Sequence, residues 1–168
     1  CDVDDIRAKD GYEKIKSQFP NVKKFTDFRV MYDKMHNEID AVIISTPDHT
    51  HFAPAMIAME LGKHVYMEKP LAHNVWECRT LKKAANYYKI VSQMGNQGHT
   101  TNGVRQIKEW YDAGILGEVK EVHAWIGEFN FRPGHYWTLP ESFPPPKNEV
   151  PNHLDWDLWL GPAMKRDY

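Results

Sequence analysis

Glu68-Lys69-Pro70 places a lysine between a carboxylate and a proline, directly after the apolar run His64 to Met67. An amine at the end of such a run, locked by the following proline, is aimed into a crevice instead of open water. Partly enclosed there, it holds its proton less tightly and shuttles it to or from a substrate hydroxyl near neutral pH. The plainer reading is a surface turn in which Lys69 pairs with Glu68. A second stretch, Ser45-Thr46-Pro47-Asp48-His49-Thr50-His51, follows the apolar run Ala41-Val42-Ile43-Ile44. Ser45 and Thr46 offer hydroxyls to a nucleotide and Pro47 fixes the backbone beside it, although an ordinary strand-to-helix turn uses similar residues. His49 and His51 form a His-x-His pair with no further Cys, Asp or Glu ligand set, so no metal is expected. His51 instead touches a cofactor or orders the loop, unless both imidazoles simply sit at a wet helix start. Asp2 stands where an acidic residue accepts hydrogen bonds from an adenosine ribose, or else caps a turn. In the first role it favours NAD over NADP, because a carboxylate repels a 2′-phosphate and no arginine directly follows it.

Positioning these groups requires strands that end side by side. The run at 39–45 is apolar on both faces, as a parallel strand covered by helices must be. Further strands are predicted at 64–67 and 90–94. Helices are predicted from residue 4 or 5 to about 19, from about 28 to 36, and over about 53–61, 74–88 and 101–113, with caps such as Asp27 and stops such as Gly62 and Gly114. Alternating strands and helices with short links predict a doubly wound, Rossmann-type parallel sheet of the α/β class, with right-handed crossovers. In that architecture ligands bind outside the carboxyl ends of the strands. Beyond Gly117 the texture changes: residues 119–129 alternate as a strand with one solvated face, and 132–151 are rich in proline and aromatics. The expected organisation is a dinucleotide-binding domain over 1–117 and, over 118–168, the start of an α+β open-faced sheet domain. A last helical turn is predicted at 155–160.

Composition agrees with a soluble globular protein, at 42% hydrophobic and 26% charged residues. With 21 basic against 23 acidic residues there is no basic excess for nucleic acid or an anionic membrane. No apolar run approaches the roughly 20 residues that span a bilayer, and no signal pattern opens the chain, so the cytoplasm is the expected location. Cys1 and Cys78 are too isolated for a redox or metal motif.

Taken together, these residues resemble the family of glucose-fructose oxidoreductase, inositol dehydrogenase and their relatives. The family pattern Thr-Pro-Asn-x-x-His appears as Thr46-Pro47-Asp48-His49-Thr50-His51, with Asp48 in place of Asn. The pattern Gly-Lys-His-Val-x-x-Glu-Lys-Pro appears as Gly62-Lys63-His64-Val65-Tyr66-Met67-Glu68-Lys69-Pro70. The resemblance implies that Lys69 is the catalytic lysine, often preceding a cis proline, and that Glu68 and Pro70 shape a nicotinamide pocket. It implies that Asn96 and Gln97, in Gly95-Asn96-Gln97, lie beside nicotinamide and substrate, and that Asp2 is the ribose carboxylate. The implied activity is hydride transfer between NAD and a secondary hydroxyl of a sugar, cyclitol or glycoside, in a protein that is a homo-oligomer when intact. Rival activities are an NAD-recycling glycoside hydrolase and a non-catalytic nucleotide-binding regulator. No G-x-G-x-x-G turn occurs in the 168 residues. The expectation is therefore an internal part of a larger protein, whose further catalytic Asp and His are not assignable here; His153 and Asp157 do not match their motif.

Overall fold

The computed structural model describes residues 1–124 and 142–168. They group into two compact units, residues 1–96 with 149–168, and residues 97–148. Packing thus divides the chain at 96, whereas the change of sequence texture lies near 117. It also returns the last twenty residues to the first unit, through backbone bonds that no local pattern announces.

In the first unit, α1 (Asp5–Gln18) begins at Asp4, whose carboxylate accepts from the amides of Ile6 and Arg7. The helix α2 (Phe28–Met35) begins likewise at Asp27, which accepts from the Arg29 amide. Three strands follow, β1 (Ala41–Ile44), β2 (His64–Glu68) and β3 (Ser92–Gly95), hydrogen-bonded in that order. Both pairings are parallel, with Ile44 beside Met67 and Met67 beside Met94. The helices α3 (Phe52–Glu60) and α4 (Val75–Tyr88) link them, in the alternation that the sequence predicts for a Rossmann-type fold. A short helix, α6 (Trp156–Leu160), completes the unit.

Period-two alternation decides what each strand buries. Ile44, Val65 and Met67 enter a core with Tyr32 of α2, Ala55, Ala58 and Met59 of α3, and Leu81 and Ala84 of α4. The other face differs from the expected covering: Ile43 is 77% exposed, because the helices that build this core lie against the Ile44 face. The strand predicted at 90–94 begins two residues later. Lys89 adopts the left-handed conformation at the end of α4, and the amides of Lys89 and Ile90 both return to the Ala85 carbonyl. Ile90 is thereby used in closing the helix.

The second unit contains α5 (Asn102–Asp112), preceded by a 3-10 turn, Gln97–Thr100. No residue of α5 is buried. A groove of about 670 Å³ runs along it, lined by apolar residues including Val104, Ile107 and Leu116. The strand predicted at 119–129 is not formed over residues 119–124, where no ladder partner is present among the described residues; its remainder lies outside them.

Candidate functional site at the strand ends

Because the three strands are parallel and in register, their carboxyl ends share one edge of the sheet. Beyond β1, Ser45, Thr46 and Pro47 are exposed, and a 3-10 turn, Asp48–Thr50, leads into α3. That turn is tight because the amide and hydroxyl of Thr50 both donate to the Pro47 carbonyl, at 2.9 and 2.8 Å.

β2 ends at Glu68, whose Cα pairs with that of Gly95. A Cβ at Gly95 would lie 2.8 Å from the Glu68 carboxyl group, so glycine leaves the space that this carboxylate occupies. The Lys69 amide donates to the Gly95 carbonyl at 3.1 Å, and the Lys69-Pro70 peptide is cis, as the family resemblance implies. Lys69 itself is exposed. The partial enclosure expected of it is not present, since it stands at the sheet edge where the strand has run out. Asn96 is exposed beyond β3, and Gln97 opens the second unit.

His51 is 1% exposed, which removes the wet-helix reading. Its Nδ1 lies 2.7 Å from the Pro70 carbonyl and its Nε2 lies 2.8 Å from the Thr46 carbonyl. Both ring nitrogens are thus turned to backbone carbonyls, Nε2 to the loop after β1 and Nδ1 to the loop after β2. His49 behaves differently. Its Nε2 meets the Trp159 carbonyl at 3.0 Å, and its ring lies 5.2 Å from the Trp159 ring. Among the described residues, no group of three or more His, Cys, Asp or Glu side chains is placed to hold a metal ion.

Asp2 accepts from the Asp4 amide at 2.9 Å through Oδ1, while its own amide donates to Phe25. The turn-capping bond of the plainer reading is thus present. His153 and Asp157 are paired with Asp4 and Lys165, not with residues of the strand-end loops. His153 Nδ1 lies 3.0 Å from Asp4 Oδ1, and Asp157 pairs with Lys165 at 3.4 Å on the surface. The Arg7 amide foremost, with the His153 ring and the Ile6 amide, holds the Asp4 carboxyl below the usual carboxylate range against an opposing effect of burial.

Sequence reasoning missed the role of residues 149–168 in this unit. The Asp5 amide donates to His153 and the Asp155 amide to Val3, while Leu160 is buried. Gly161, at φ 51°, passes so close to Thr50 that a Cβ would lie 2.9 Å from its methyl. The only signal in the sequence was the aromatic and glycine content of Trp156-Asp157-Leu158-Trp159-Leu160-Gly161, which names no partner.

A family model described as an oxidoreductase family with an NAD-binding Rossmann fold matches residues 6–96. The inositol 2-dehydrogenase 1 of Saccharopolyspora erythraea is 34% identical over 124 residues, 73% of this chain and 35% of that protein. The 2,7-anhydro-N-acetylneuraminate hydratase of Mediterraneibacter gnavus is 28% identical over 99 residues, 59% of this chain and 26% of that one. Among solved structures, an inositol dehydrogenase homolog from Azotobacter vinelandii, complexed with NADH and myo-inositol, superimposes with a TM-score of 0.53 at 31% identity. That match covers 56% of this chain and 26% of the homolog. The chain spans between about a quarter and about a third of the length of such relatives.

Proposed function

Because the chain belongs to the oxidoreductase family with an NAD-binding Rossmann fold, we propose that it forms part of an enzyme that oxidises a secondary hydroxyl of a sugar, cyclitol or glycoside, with Lys69 handling the hydroxyl proton. The observation that carries this reading is the placement of Lys69. It leaves the end of β2 with its amide bonded to β3 and the next carbonyl bonded to His51, at an edge formed by three parallel strand ends.

The residues at that edge fit the nicotinamide half of a dinucleotide. Ser45, Thr46 and Asn96 present exposed hydroxyl and amide groups there, with Pro47, Glu68, Pro70 and Gln97 as neighbours in sequence. Asp2 would take the adenosine ribose and favour NAD over NADP. The bound dinucleotide supplies the acceptor for hydride. The amine of Lys69 takes the proton from the substrate hydroxyl as the carbonyl forms, and returns it in the reverse direction. Glu68 is seated over Gly95, at the end of the strand that Lys69 follows.

The hydratase among the relatives favours keeping a second reading, in which the hydride is returned and no net oxidation accumulates. Incubation of the full protein with NAD and a panel of cyclitols, sugars and glycosides separates the two. Accumulating NADH is expected for the dehydrogenase. Product release with no change in NADH would favour the second reading, and turnover of no polyol with either cofactor would overturn both.

A further inference from the structure

We propose that His51 is the positioning residue of the Lys69 site, tying the exit of β1 to the exit of β2 and so fixing the backbone from which the lysine projects. The inference rests on the reading of Lys69 given above.

His51 ranks with Met67 and Leu81 among the largest fully buried side chains of the described residues, and it alone of the three is polar. A buried imidazole is costly unless its nitrogens are hydrogen-bonded. Its two partners, at 2.7 and 2.8 Å, are both backbone carbonyls. A carbonyl oxygen only accepts, so each contact is a hydrogen bond only where the facing nitrogen bears hydrogen. With hydrogen on both nitrogens the ring satisfies both carbonyls. In either neutral tautomer it satisfies one and turns a lone pair toward the other.

The two carbonyls are not interchangeable parts of one turn. Thr46 lies five residues before His51 and Pro70 nineteen after it. Proline has no N–H, so Pro70 itself is held by a backbone hydrogen bond only through its carbonyl. On the near side, the Lys69 amide is already bonded to Gly95. The lysine is therefore pinned by one hydrogen bond before it and one after it, and His51 supplies the second. His51 is itself anchored. Its carbonyl accepts from the Ala55 amide in the first turn of α3, and two residues earlier His49 is bonded to Trp159. Misplacing a reacting group by about 1 Å lowers a rate on the order of 100-fold, so a tie at this point acts on turnover without touching the substrate.

The test uses His51→Gln and His51→Leu in the full protein, with kcat, substrate KM and NADH affinity measured for each. Leucine loses both bonds, and a glutamine amide retains one donor. The expected result is a kcat about 100-fold lower for His51→Leu, with a smaller loss for His51→Gln and unchanged NADH affinity in both. Normal kcat in either folded variant overturns the proposal, as does a loss confined to cofactor affinity. Nitrogen-15 NMR of the wild-type His51 ring is the second measurement, and it holds whether or not the variants fold. A hydrogen on Nδ1, facing the Pro70 carbonyl, is expected; an Nδ1 that carries no hydrogen overturns the tie to the backbone beyond Lys69. Inactive Lys69→Met alongside normal His51 variants would defeat this inference alone, whereas an active Lys69→Met would defeat the proposed function and leave the tie to the NMR result.

Discussion

Helices α4 and α5 begin from similar sequence material and end in opposite conditions. Each carries an apolar stripe at helical spacing, and the stripe of α5 is the more one-sided. Yet Leu81 of α4 is 2% exposed, whereas Ile107 of α5 is 57% exposed and nothing on that helix is buried. Their starts differ as well. Asn74 accepts from the Glu77 amide at 2.9 Å, and the Glu77 carboxylate reaches back to the His73 amide at the same distance. Thr101, at the start of α5, makes no such side-chain bond. Amphipathic spacing states which face a helix is able to bury; a neighbour decides whether it does. In the first unit α3 and the Ile44 face of the sheet are that neighbour, while among the described residues of the second unit α5 has a short 3-10 turn before it and no helix or strand packed on it.

If the chemistry belongs to the first unit, its removal there has the largest effect. Lys69→Met in the full protein is expected to lower kcat by about 100-fold or more while cofactor binding survives, because methionine keeps the bulk and loses the transferable proton. Lys69→Arg is expected to be poor as well, since guanidinium stays protonated. Steady-state kinetics at saturating cofactor would check this, with Gln97→Ala as the second-unit counterpart. A loss from Gln97→Ala as deep as that from Lys69→Met would break the assignment of chemistry to the first unit.

Stability offers the next contrast. Leu81→Ala is expected to cost about 3 kcal/mol through lost burial and a residual cavity. Ile107→Ser, on an exposed face, is expected to stay within about 0.5 kcal/mol. Urea unfolding of both variants checks the pair, and equal losses would mean that α5 has a covering the described residues do not supply. The caps give a smaller version of the same test. Asn74→Ala should cost about 1 kcal/mol, whereas Thr101→Ala should cost almost nothing because no cap bond is lost.

The smallest effect is a pH dependence confined to the packed unit. Tyr32 is buried with its hydroxyl donating to the Pro54 carbonyl at 3.1 Å, and burial pushes its phenol up to about 12 from 10.0. The unfolded chain then loses this proton first as pH rises. Its contribution to stability is full below the unfolded value and is lost progressively as pH climbs toward the folded one. Unfolding midpoints should therefore fall above pH 10 in the wild type, and less steeply in Tyr32→Phe. Identical slopes would remove the phenol as the cause.

Local chemistry made much of this protein legible in its sequence. Runs such as Ala41-Val42-Ile43-Ile44 specify strands through β-branching and length. Asp27, Asn74 and Gly62 mark helix ends through the backbone groups they satisfy or the conformation they allow. The motif ending in Glu68-Lys69-Pro70 identified the edge at which the candidate site stands. What those residues touch was not legible, because hydrogen bonds between segments far apart in sequence depend on packing. That the two ring nitrogens of His51 meet Thr46 and Pro70, that residues 149–168 return to Asp4 and His49, and that Lys69 is exposed follow only from how the elements assemble. Period and capping are properties of a segment alone; burial and long-range hydrogen bonds are properties of its neighbours, and only the tertiary structure supplies those.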